Sequence, residues 1–196
     1  RFLRQAGLRV MAFAGNDKEY QALLDVVLDA PLVGRWQVTE SGQKQLVDEG
    51  LIEKFAATIE PFISQEAAEI DSNMRREKTW FYPWEAIRES VINAVVHRDW
   101  TRSVDIEVVN YSDRLEIISP GKLNNSMTIT KMLAGQRSPR NNLIMEVLRD
   151  YGYVDARGMG VRTKIIPLMQ ALNQVKPIFE ATEDYLKTLL PRKVSQ

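Results

Sequence analysis

The sequence predicts an α+β fold built in layers. Three observations carry that prediction. A helix entered at Pro83 runs to about Arg98. Two alternating stretches, 105–109 and 114–118, flank the turn residues Tyr111, Ser112 and Asp113, which reads as a β-hairpin. Helices and antiparallel pairs follow one another irregularly, unlike the regular strand–helix order of a doubly wound parallel sheet.

The elements follow in chain order. Residues 8–14 alternate as a strand, and Gly15-Asn16-Asp17 is a turn signal. Asp17 is suited to cap a helix carrying Tyr20, Leu23, Leu24, Val27 and Leu28 at helical spacing, with Pro31 ending it. Residues 42–70 read as one long helix or two, with an apolar stripe interrupted near Gly50 and Pro61. The polar stretch 71–80 predicts a boundary, giving a first unit over 1–75 and a second over 76–196. Past the hairpin, 128–133 is a short helix, 135–142 a polar loop, and 143–151 a helix closed by Gly152. Gly158-Met159-Gly160 opens a helix to about Asn173 with Pro167 inside it, and the tail offers strands at 177–181 and 185–190.

Composition narrows the function classes. The 196 residues hold 26 basic and 26 acidic side chains, so overall charge makes no case for nucleic acid. The run Arg75-Arg76-Glu77-Lys78 is the densest local basic stretch, and a solvated connection accounts for it. The chain has no cysteine and one histidine, His97, which excludes disulfides, thiolate metal sites and a multi-histidine zinc site. No apolar run approaches the roughly 20 residues of a membrane-spanning helix, and there is no secretory signal, so a cytoplasmic location is expected. The chain opens at Arg1 as if already inside a domain, which predicts further sequence upstream.

The helix from Trp84 carries the chemistry. At about 100° per residue, Trp84, Ile87, Val91 and Val95 share one face, and Glu89, Asn93 and His97 share the opposite one. Asn is a weak helix former, so its place mid-helix asks for a reason. With Ile92 and Val96 beside it, the polar line suits a partly buried groove in which a carboxylate orients water and an amide oxygen meets a hydrated Mg²⁺. A solvent-facing stripe with no ligand is the competing reading.

Four spaced motifs add to this. Glu89-x-x-x-Asn93-Ala94-x-x-His97 is followed by Asp113-Arg114-Leu115-Glu116-Ile117 with Ser119-Pro120-Gly121-Lys122-Leu123, then Ser138-Pro139-Arg140-Asn141-Asn142, then Gly158-Met159-Gly160 with Val161-Arg162. Together they resemble the family named after the C-terminal part of RecG-related ATP-dependent DNA helicases, over roughly residues 80–190. That family is similar to Bergerat-type ATPases such as gyrase and histidine kinases. The resemblance implies a two-layer, histidine-kinase/gyrase-like ATPase fold with ATP and Mg²⁺ as ligands. Glu89 would be the catalytic water-activating residue and Asn93 the Mg²⁺ and nucleotide contact. Gly121, Arg140, Asn141, Gly158 and Gly160 would complete the nucleotide site. Residues 1–35 resemble, more weakly, the end of a Schlafen-type, Alba-like DNA-binding domain. The first unit then reads as the remnant of a second α+β domain plus a helical connector.

The chain also departs from the pattern. Where the resemblance implies an Asp that reads the adenine amino group, it has Ser119-Pro120-Gly121, which leaves the source of adenine selectivity open. Gly158-x-Gly160 fits a phosphate cradle or a tight turn equally well. Asn142 also suits capping of the following helix. His97-Arg98-Asp99 echoes a kinase catalytic loop, but position 104 is Val where that loop needs Asn. No Gly-x-x-x-x-Gly-Lys-Ser/Thr loop exists, so the chain is not a helicase motor of that type. The first expectation is an ATP-binding, at most weakly hydrolysing, regulatory domain of a DNA-binding transcriptional regulator. The DNA contacts would come from upstream sequence, and the protein would act as a homo-oligomer. The alternative is a degenerate relative without nucleotide that serves in dimerisation or partner docking, with Trp80, Phe81 and Tyr82 in the contact or, as is more usual for such aromatics, packed within the domain. Direct DNA binding by these residues ranks last.

Overall fold

In a computed structural model of the protein, the described residues are 7–18, 21–70, 76–154 and 160–192. The strands are β1 (Leu8–Ala12), β2 (Leu24–Leu28), β3 (Arg35–Val38), β4 (Lys44–Asp48), β5 (Ser64–Ile70), β6 (Arg76–Trp80), β7 (Ile106–Asn110), β8 (Arg114–Pro120), β9 (Ile178–Ala181) and β10 (Tyr185–Pro191). The helices are α1 (Leu51–Ile63), α2 (Trp84–His97), α3 (Ile129–Leu133), α4 (Asn142–Asp150) and α5 (Ile166–Asn173), the last entered through a π-helical turn at Val161–Ile165.

One six-stranded sheet, ordered β2-β1-β7-β8-β10-β9, organises these elements. Its neighbours are antiparallel except β1 and β7, which run parallel from Leu8 beside Ile106 to Ala12 beside Asn110. The sheet therefore takes strands from both sides of the boundary expected at residue 75. Alternation sets its two faces. Leu8, Val10, Leu115 and Ile117 are buried towards the helices, where α1 packs on β1 and α2 on β8. The opposite face is held by ion pairs: Arg9 grips Asp25 through two bonds of 2.8 and 2.7 Å, and Arg114 meets Glu116 at 2.7 Å. That is a two-layer α+β sandwich, as the sequence predicts.

Helix α2 starts at Pro83, whose fixed φ of −62° suits a helix entry. It is buried almost all round, with Ile87, Val91, Ile92 and Val95 at most 1% exposed. Each such side chain contributes about 1.5–3 kcal/mol of burial, while the propensity deficit of a β-branched residue is at most roughly 0.7 kcal/mol. Packing, not propensity, makes this segment helical. The π-helical turn before α5 has a local cause as well. Ile166 N–H bonds to Val161 O, five residues back, and Pro167 has no N–H with which to restore the tighter ladder.

Several expected elements differ. Residues 24–28 form an edge strand instead of a helix, because Leu24, Val26 and Leu28 turn inward and pair with β1. Asp17 accepts a bond from Lys18 N at 2.8 Å and caps no helix. The long helix expected over 42–70 shrinks to α1, flanked by strands β4 and β5. There the Glu53 carboxylate accepts from Gly50 N at 3.0 Å and fixes the helix start. Ser119 and Pro120 belong to β8 and carry it past the 114–118 stretch expected as a strand. The aromatic run before α2 packs inside the fold: Tyr82 is fully buried, Trp80 lies 6.0 Å from the Trp84 ring, and Arg192 covers Phe81.

Candidate functional site

Glu89, Asn93 and His97 share the α2 face opposite the helix's core stripe, and all three line one cavity of about 220 Å³ together with Gly160. Across from them the wall is apolar, with Met127, Met132, Met145, Phe179 and Leu186 prominent. These side chains come from the α3 region, α4 and the β9–β10 hairpin. The short helix α3 is set by Thr128, whose hydroxyl accepts from Lys131 N at 3.2 Å.

Glu89 is 7% exposed. Asn93 Nδ2 donates to its Oε1 at 3.4 Å, and Lys164 Nζ stands 4.0 Å from its Oε2. Lys164 also approaches Glu85, at 3.9 Å. Gly160 packs directly on the carboxylate: a Cβ built there would lie 1.7 Å from Glu89 Oε1. Its φ of −53° is ordinary helical backbone, so the glycine serves space and not conformation. Gly158 lies outside the described residues. Among the described residues no three carboxylate, His or Cys side chains are grouped to hold a metal ion. A Mg²⁺ here would rely on one or two protein oxygens, with phosphate and water completing its shell.

Gly121, Arg140 and Asn141 are not among the residues that line the cavity. They meet around the C-terminus of α2. Asn141 Nδ2 donates to Val96 O at 2.7 Å and to Arg98 O at 2.8 Å, satisfying carbonyls that a helix end leaves without partners. It precedes α4 without a side-chain capping bond, and Asn142, expected as a cap, is the first residue of that helix. Arg140 donates to Lys122 O at 2.5 Å and sits 3.8 Å from Asp99. Gly121 has φ +105°, and a Cβ on it would come within 2.5 Å of Asp99 Cβ. Asp99 N in turn bonds Pro120 O at 2.8 Å, and Ser119 Oγ donates to Ala94 O at 2.8 Å.

His97 stands between the two groups. Burial first, and then the nearby Arg140 charge, push its pKa below the usual imidazole value. Arg98 is fully buried. It stacks 4.7 Å from the Trp100 ring and donates to the carbonyls of Arg102 and Val104, so it braces the turn after α2.

Two further cavity residues carry no motif: Arg137 follows α3 and Arg149 lies in the last turn of α4. A third arginine there, Arg162, belongs to the motif that opens at Gly158. Basic residues in loops and last helical turns are common, so no periodicity or spacing marked Arg137 and Arg149. Only their convergence on one cavity does.

Residues 103–190 match the model of the family described as "Putative ATP-dependent DNA helicase recG C-terminal". That stretch begins after α2, so it includes Gly121, Arg140, Asn141 and Gly160 but not Glu89 or Asn93. The fold is similar to the crystal structure of the DIP2311 protein from Corynebacterium diphtheriae. The TM-score is 0.72 at 22% identity, covering 97% of this chain and 35% of that one. A likeness at that identity is one of fold, and this chain spans little more than a third of that protein's length. No curated protein matches the chain. Over residues 103–190 the protein is thus similar to the RecG-related C-terminal family that its motifs resemble.

Proposed function

We propose that the cavity beside α2 is a Mg²⁺–ATP site in a cytoplasmic regulatory module. One observation carries the reading: Glu89, Asn93 and the helix start at Gly160 converge on a single cavity in an ATPase-like fold. The residues fit the group in part. Asn93 turns its amide nitrogen to Glu89, which leaves its carbonyl oxygen for a hydrated cation. Glu89 is the carboxylate that orients a water and takes its proton. The cation would neutralise phosphate charge beside that carboxylate. Backbone N–H groups at the helix start near Gly160 favour an anion. The cavity is smaller than the roughly 300–1,000 Å³ of common ligand sites, so a nucleotide would widen it on entry. That widening is the signal a regulator needs. The module would serve a transcriptional regulator that reads DNA through other sequence and works as a homo-oligomer. Titration calorimetry with ATP and Mg²⁺ tests this, with saturable binding expected and lost when Mg²⁺ is chelated. A flat titration would sink it.

The second reading is a degenerate module that docks a partner or a second copy without nucleotide. The packing of the Glu89 carboxylate on Gly160 favours it, because the carboxylate takes up the space against that helix start. Sedimentation showing a monomer at all concentrations would count against a dimerisation role.

A further inference from the structure

We infer that this cavity selects its ligand by the charge of the phosphate tail and not by the base, an inference that rests on the nucleotide reading above. Arg137 from the loop after α3, Arg149 from α4 and Arg162 from the π-helical turn line the same cavity. The side chains of Arg137 and Arg149 make no hydrogen bond or ion pair with another described residue. Arg162 donates once, to Ala134 O at 3.3 Å, which leaves its other N–H groups for a ligand. A guanidinium is built to meet phosphate through paired, charge-assisted bonds. Three of them against Glu89, the single carboxylate among the described lining residues, make the cavity a match for a multiply charged anion.

The remainder of the cavity offers a base little to read. Its wall is mostly Met, Leu, Ile, Val and Phe, which grip any flat apolar body. Among the described lining residues, no carboxylate other than Glu89 is present to demand an amino group. The uncharged polar side chains that line the cavity, Asn93, His97, Asn124, Gln136, Ser138 and Thr188, are carboxamides, hydroxyls and one imidazole, each of which donates and accepts. They serve a 6-amino purine and a 6-oxo purine alike. Apolar sites separate isosteric ligands by only about 10–200-fold, whereas a dedicated hydrogen-bonding site reaches roughly 10⁴–10⁵.

The test is calorimetry on the full chain with Mg²⁺ and two ligand series. ATP, ITP and GTP vary the base, while ATP, ADP and AMP vary the tail. The base series should stay within about tenfold, and the tail series should weaken by about a hundredfold or more from ATP to AMP. Arg149→Gln and Arg162→Gln, both at exposed positions, should compress the tail series and leave the base series unchanged. Thermal melting checks that both variants are folded. Tight ATP binding with ITP weakened more than AMP would overturn the inference and leave the nucleotide reading standing. Failure of all five ligands to bind would instead refute the nucleotide reading, and this inference with it.

Discussion

The two ends of α2 treat their polar residues in opposite ways. At the Glu89–Asn93 end the side chains face a cavity, and Gly160 is there to leave room. At the C-terminal end, Asp99, Gly121, Arg140 and Asn141 bond or pack onto one another and onto the helix carbonyls. Both sets belong to the same run of motifs. The difference teaches that a motif residue can be kept for architecture as readily as for chemistry, and that the direction of the side chain decides which.

The comparison is broken most severely at Gly121. Gly121→Ala combines a strained left-handed φ with a clash at Asp99, so it should cost about 3 kcal/mol, read as a fall in the melting midpoint. Asn141→Ala leaves two carbonyls at the α2 terminus without their donor and should cost about 2 kcal/mol in denaturant unfolding.

His97 sharpens the contrast through pH. Its folded pKa is depressed, so the unfolded chain binds the proton more readily below about pH 6.5. Stability should therefore fall with pH below that value, by at most about 1.4 kcal/mol per unit, until the folded pKa is passed. His97→Gln should remove that part of the slope in melts run from pH 7 to pH 5. The last effect belongs to the cavity end. Gly160→Ala puts its Cβ 1.7 Å from Glu89 Oε1 and 2.6 Å from Glu89 Cγ, so that buried side chain must shift, at a cost of about 1 kcal/mol or more. Its effect should appear in nucleotide affinity, measured alongside.

Part of this was legible in the sequence. The α2 segment, the β7–β8 hairpin and the two tail strands announced themselves through local period and turn residues. The Glu89–Asn93–His97 line follows from helical spacing, and it does reach one cavity. β2 was misread because Leu23, Leu24, Val27 and Leu28 also fit a helical period. Only pairing with β1 makes 24–28 an edge strand. The parallel β1–β7 pairing joins residues about a hundred positions apart and leaves no local trace. For the same reason, nothing in Ser-Pro-Arg-Asn-Asn says that Asn141 reaches back to α2, or that Arg137, Arg149 and Arg162 meet at one cavity.

The most direct measurement sets two asparagines side by side: Mg²⁺–ATP affinity for Asn93→Ala and for Asn141→Ala, at a temperature where both are folded. With the cavity as the nucleotide site and Asn141 as an architectural clamp, Asn93→Ala should weaken binding by about tenfold or more, while Asn141→Ala should stay within about twofold of wild type. Wild-type affinity in Asn93→Ala, with binding lost in Asn141→Ala, would contradict the account.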